Sequence, residues 1–271
     1  MADLELCCMT VRQAALPELI AVAGSAGFAA VTTTPWLYDA AGVTDRELRS
    51  LLDEHDVRVT YIDGLITALP GTPAHRGAAS EDDCYRIAAA LGAGAINVVH
   101  IDGSPTPLGE LAGALGPLCD RAAARGLRIV VEFLPGTGIP DFPTALELVR
   151  AVGADNLGIV LDSWHLARSG GTVDLLDPAA ASLVGALQLA DRTRAQDLEP
   201  YVPMSGRLLP GDGEVPLERL VASVLAARPG VPVGIEVISD AMRALPAAEA
   251  AQVAAASLRS LLARTGGDAE R

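Results

Sequence analysis

Short runs of Val, Ile, Leu and Ala alternate along this chain with longer stretches whose apolar residues recur at helical spacing. Eight short runs predict strands: Leu4 to Met9, Ala29 to Thr34, Arg58 to Ile62, Ala95 to His100, Leu127 to Glu132, Leu157 to Asp162, Ala186 to Ala190 and Val231 to Val237. Runs of this length and composition suit strands buried on both faces. The stretches between them predict helices. Thr10 is placed to cap one running to Ala26, with Gly27 as its stop. Thr44 is placed to cap Asp45 to His55, with Glu47 at the capping-box position. Acids follow Ser80 at the start of a helix reaching Leu91. Further helices are predicted from Pro107 to Gly126, Phe142 to Val152, Pro178 to Val184, Pro216 to Ala227 and Ala247 to Arg264. Strand–helix alternation implies a parallel sheet. Eight units without a linker favour one closed (β/α)₈ TIM barrel over residues 1–264, followed by a disordered tail, 265–271. A length of 271 residues fits that architecture.

Composition narrows the chemistry. Hydrophobic residues make up 50% and aromatics 3%, which favours helices packed on a sheet over a β-sandwich. Charges, Gly and Pro interrupt every apolar run before it could span a membrane. The acidic N-terminus lacks the basic start of a signal peptide, so a cytoplasmic enzyme is expected. The net charge of −14 opposes nucleic acid and anionic membranes as partners. Cys7, Cys8, Cys84 and Cys119 form no C-x-x-C pair and read as reduced thiols. All 20 basic residues are Arg. With no Lys amine, Schiff-base and pyridoxal phosphate chemistry are excluded, as is a P-loop. A dinucleotide fingerprint is also missing after the first strand.

Candidate chemistry sits where the later apolar runs stop. The last four end on Glu132, Asp162, Gln188 and Glu236. In a parallel barrel the C-terminal strand ends share one mouth, where active sites lie. Two Glu, one Asp and an amide oxygen suit a hard divalent cation, Mn²⁺ first and Mg²⁺ or Co²⁺ next. His165, three residues past Asp162, and His100, ending the fourth strand, are candidates to face the same mouth. His55, on a helix, and His75, in a Pro/Gly-rich loop, read as structural or exposed. Long loops carry Trp36, Tyr38, Ile66 and Tyr201, and Trp164 follows Asp162. These aromatics could stack on a substrate or pack a lid.

Several motifs resemble the sugar phosphate isomerase/epimerase family, the xylose-isomerase-like barrels. They are Val131-Glu132, Leu161-Asp162-Ser163-Trp164-His165, Leu187-Gln188-Leu189-Ala190-Asp191, Arg207 through Glu214, and Gly234-Ile235-Glu236-Val237. The resemblance implies a metal held by Glu132, Asp162, Gln188 and Glu236, with His165 and Arg207 on substrate oxygens. It implies that Glu132 and Glu236 remove and return a proton beside a carbonyl, through a metal-stabilised enediolate. Ketose epimerases of the family carry His where this chain has Gln188, and hydroxypyruvate-isomerase-like members carry Gln. The expected activity is isomerisation or epimerisation of a keto-sugar or polyol, and the Ala-rich outer helices could serve homodimer packing. Two alternatives stand beside it. One is dehydration of an inosose- or dehydroshikimate-like substrate. The other is a sugar-binding subunit that needs a partner. The DNA-repair branch of the same barrels needs many more His than the four present.

Overall fold

The computed structural model describes residues 2–72 and 77–267. Its strands are β1 (Leu4–Leu6), β2 (Ala30–Thr33), β3 (Arg58–Leu65), β4 (Ala95–Val99), β5 (Arg128–Glu132), β6 (Leu157–Asp162), β7 (Val184–Leu189) and β8 (Val233–Ile235). All pair in parallel and in sequence order, and β8 closes on β1. This is the expected (β/α)₈ barrel. Its main core lies between sheet and helices, built from residues such as Leu19, Ile62, Leu118, Leu148, Val221 and Leu258. A second, smaller cluster of Tyr61, Val130, Val160 and Ala186 fills the barrel's interior.

The helices follow in chain order: α1 (Leu16–Ala26), α2 (Pro35–Asp39), α3 (Asp45–His55), α4 (Glu81–Leu91), α5 (Leu108–Ala123), α6 (Phe142–Val152), α7 (Ser163–Arg168), α8 (Pro178–Ala181), α9 (Leu217–Ala227), α10 (Asp240–Ala244) and α11 (Ala247–Gly267). The capping boxes at Thr44–Glu47 and Ser80–Asp83 are both formed. Each such cap stabilises its helix by about 1 kcal/mol.

Some boundaries differ from the sequence pattern, each for a local reason. Thr10 does not cap α1. Its hydroxyl donates to the Ile235 carbonyl (2.9 Å) and accepts from the Val237 amide (3.0 Å), tying the end of β8 to a single 3₁₀ turn, Cys8–Val11. The helix starts only at Leu16, with Pro17 in its first turn. The helix at Pro178 lasts one turn, because Val184 already pairs in β7. Strand β3 runs past Ile62 to Leu65, with a register shift against β4 between Asp63 and Leu65. Asp63 therefore lies within a strand. Residues 265–267 continue α11 rather than starting a tail, and 268–271 lie outside the described residues, as does His75. The four cysteines are free and buried. Among the described residues, no helix is long and apolar enough to cross a membrane.

Candidate active site

The barrel brings together the four predicted strand ends. Asp162 and Gln188 are register partners on β6 and β7, and Gln188 is the partner of Gly234 on β8. Glu132 ends β5. Glu236 extends the β8 ladder by one bond, its amide donating to the Leu189 carbonyl (2.9 Å). All four side chains are buried. Glu132 and Glu236 line the floor of a cavity of about 810 Å³, together with His165, Arg207, Trp36, Ile66, Val99, Ile101, Leu134 and Met204, while Asp162 and Gln188 are buried beside them without lining it. The volume suits a small organic molecule.

Two further groups join the carboxylates. His165 Nε2 lies 3.2 Å from Glu132 and 3.3 Å from Asp162, and its Nδ1 is 2.8 Å from the Tyr201 hydroxyl. Glu132, Asp162 and His165 thus offer three ligand atoms close enough together to share a metal ion. Arg207 Nη1 bridges Asp162 (2.8 Å) and Glu236 (2.5 Å).

Local sequence explains this placement. Asp162 turns its other oxygen to the Trp164 and His165 amides, so it caps α7 and fixes His165 above itself. The Ser163 hydroxyl donates to the Ala190 carbonyl (2.6 Å) and accepts from its amide (2.9 Å), joining the motif at Asp162 to that at Gln188. Asp191 organises the long loop that carries Arg207. Its carboxylate accepts from the amides of Arg192, Gly211 and Val215. A methyl group at Gly213 would come within 2.4 Å of that carboxylate, which is why the loop needs glycine there.

Burial dominates the electrostatics. Removal from water pushes Glu132 up to about 7, helped by the Asp162 charge. Burial likewise raises Glu236 to about 8, against the pull of Arg207. Burial lowers His165 to about 4, so the imidazole is neutral. For Arg207, burial works against the charge, but Asp162 and Glu236 outweigh it and the guanidinium is held firmly charged.

Two predicted substrate contacts lie elsewhere. His100 is fully buried and does not line the cavity. Its Nδ1 accepts from the Gly138 amide (3.1 Å), and its Nε2 is 3.0 Å from the Pro70 carbonyl and 3.4 Å from the Thr106 hydroxyl. It therefore pins three loops to one another. Trp164 is also buried in the core, with the Arg168 guanidinium 5.3 Å from its ring. Trp36 does line the cavity and is 54% exposed. Asp63 and Asn97 were not anticipated. The Asn97 amide donates to Asp63 (2.8 Å) and to Glu132 (2.6 Å), and Asp63 lines the cavity. The signal in the sequence is the polar Asn97 inside a strand-like run and Asp63 just past the run that ends at Ile62; the irregularity that carries β3 on through Asp63 is not legible there.

The sequence profile of the family described as Xylose isomerase-like TIM barrel matches residues 20–261. A 3-dehydroshikimate dehydratase of Pseudomonas aeruginosa is 35% identical over 144 residues, covering 51% of this chain and 23% of that protein. An inosose isomerase of Halalkalibacterium halodurans is 28% identical over 143 residues, covering 52% of this chain and 50% of that protein. The chain thus spans half or less of the length of these two relatives. Among solved structures, an IolI protein with a bound zinc atom aligns over 97% of this chain and 99% of its own, with a TM-score of 0.83 at 18% identity. That last likeness concerns the fold.

Proposed function

We propose that this chain, which belongs to the xylose isomerase-like TIM barrel family, is a divalent-metal-dependent enzyme that isomerises or epimerises a keto-sugar or keto-polyol. The observation that carries this reading is the convergence of four buried groups, Glu132, Asp162, Gln188 and Glu236, on adjacent strand ends, with Glu132 and Glu236 on the floor of the cavity. The donor set fits a cation. Gln188 Oε1 is buried without a hydrogen-bond partner, and a buried amide oxygen left unpaired is costly. Three carboxylates facing one another out of water call for positive charge beyond that of Arg207. We assign the cation to these four residues, with His165 beside them. Oxygen donors favour Mn²⁺, then Mg²⁺ or Co²⁺. When bound, such an ion supplies the Lewis acidity that makes a proton beside a carbonyl removable.

The chain's own residues do the rest. Glu132 and Glu236 project from β5 and from the end of β8, on different sides of the cavity floor. One takes the proton and the other returns it. Arg207 holds Asp162 and Glu236 in place with its charge. His165, neutral and held by Tyr201 at Nδ1, turns its Nε2 toward Glu132 and Asp162, where it meets a substrate oxygen bound beside those donors. Trp36 and the aliphatic wall take the apolar face of the substrate and keep water from it. Among the described residues, Arg207 is the one guanidinium lining the cavity, and two carboxylates already engage it.

Dehydration is the second reading, and Asp63 favours it. A third carboxyl group on the cavity wall, tied to Glu132 through Asn97, could protonate a leaving hydroxyl.

Elemental analysis of the purified protein beside Glu236→Gln tests the metal assignment. About one metal ion per chain is expected in the wild type, with most of it lost in the variant. A wild type that takes up no metal from Mn²⁺-supplemented buffer overturns the reading. Proton exchange from inososes and ketoses in D₂O then tests the substrate class.

A further inference from the structure

Gln188 presents a problem that a carboxylate or imidazole ligand would not. The two ends of a primary amide have nearly the same shape, and only the oxygen can bind a cation. Something must hold the NH₂ end away from the metal. The structure offers two acceptors for it. Gln188 Nε2 donates to the Tyr61 hydroxyl (2.9 Å) and lies 3.4 Å from Glu236 Oε1. With both N–H bonds committed, Oε1 is left unpaired.

Tyr61 is unusual in its place. It stands on β3, across the barrel from β7, and reaches Gln188 through the barrel's interior. Its ring packs in the small interior layer with Val130, Val160 and Ala186, one layer below the site. It is 2% exposed and does not line the cavity, so no substrate reaches it. Apolar packing alone would be met by Phe. The hydroxyl adds a polar atom to a dry interior, which is costly unless it is used. Its recorded partner is Gln188.

We infer that Tyr61 is a positioning residue for the metal site: its hydroxyl holds the NH₂ end of Gln188 so that the amide oxygen faces the cation. The inference rests on the reading of Gln188 as a ligand. Glu236 cannot serve alone in this role, because a carboxylate that binds metal has less to offer the amide. Tyr61 stays a fixed acceptor whether or not metal is present. Partners that orient metal ligands typically change metal affinity about ten- to a hundredfold when removed.

The test uses the full chain, stripped with a chelator and titrated calorimetrically with Mn²⁺. Tyr61→Phe keeps the ring and removes the oxygen. It is expected to weaken Mn²⁺ binding at least about tenfold. Gln188→Ala is expected to lose at least as much, and the double variant no more than Gln188→Ala. The visible spectrum of the Co²⁺-loaded Tyr61→Phe protein is expected to shift toward that of Gln188→Ala, a change that a merely structural tyrosine would not cause. Wild-type affinity in Tyr61→Phe, or losses that add in the double variant, overturns the inference while leaving the metal site intact. Absence of Mn²⁺ binding in the wild type overturns both. Should Tyr61→Phe fail to fold, Gln188→Ala decides: undiminished affinity there means Gln188 is no ligand and Tyr61 orients nothing.

Discussion

The two halves of the barrel do different work. Strands β5 to β8 each deliver a donor group to the mouth: Glu132, Asp162, Gln188 and Glu236. Strands β1 to β4 deliver none of these. They contribute Trp36, Ile66, Val99 and Ile101 to the wall, and the inward polar residues Glu5, Tyr61, Asp63 and Asn97 beneath or beside the donors. On the proposed reading, one half carries the reacting groups, and the other shapes the cavity and holds those groups in place. Reactive and supporting residues have been separated along the chain although they mix in space. Asn97 touches Glu132, and Tyr61 touches Gln188.

The sharpest way to break this comparison is to neutralise one carboxylate in each half. Glu132→Gln is expected to lower kcat by about a thousandfold, as removal of a general base does. Asp63→Asn is expected to cost far less for isomerisation. Steady-state rates on one keto-polyol measure both. Equal losses would mean that the first half supplies a reacting group too, and would favour dehydration.

The two tryptophans sharpen the comparison between wall and core. Trp164→Ala removes a fully packed ring and is expected to cost about 3–5 kcal/mol of stability. Urea denaturation measures it. Trp36→Ala removes a half-exposed ring at the cavity mouth. It is expected to leave stability within about 0.5 kcal/mol and to change KM. If both variants behaved alike, the two rings would not be divided between core and wall.

Glu5 tests the support half by pH. It is buried on β1, accepts a hydrogen bond from the Thr60 hydroxyl, and burial raises it to about 7 from 4.5. Folded protein therefore binds its proton more tightly than unfolded protein. Stability falls as pH rises from about 4.5 to about 7 and is level above that, a loss of about 3 kcal/mol from this one group. Glu5→Gln keeps a partner for Thr60 and removes the titration. It is expected to be more stable than wild type near pH 8 and little different near pH 4. Parallel stability–pH curves for the two proteins would count against a buried, uncharged Glu5.

Much of this protein follows from sequence by itself. Runs of branched residues about a strand long, separated by capped helices, call for a parallel sheet covered by helices, and eight such units without a linker favour its closure into a barrel. The ends of the last four runs mark the mouth, because a polar residue that ends such a run leaves the core there. Local pattern could not separate His100 from His165. Both follow strand ends, and the difference lies in which loops close around each ring. It could not place Trp164 in the core and Trp36 at the cavity, since both stand just past a strand. The family resemblance gives Arg207 a substrate contact, and the fold sets it on the cavity lining with Asp162 and Glu236 on its guanidinium. Tyr61 and Asn97 read as ordinary strand residues, and Asp63 as a residue just past one, until the barrel closes. Periodicity reports which way a side chain points relative to its own strand. Only closure of the sheet decides which distant side chain it meets, because those contacts join residues far apart in the chain.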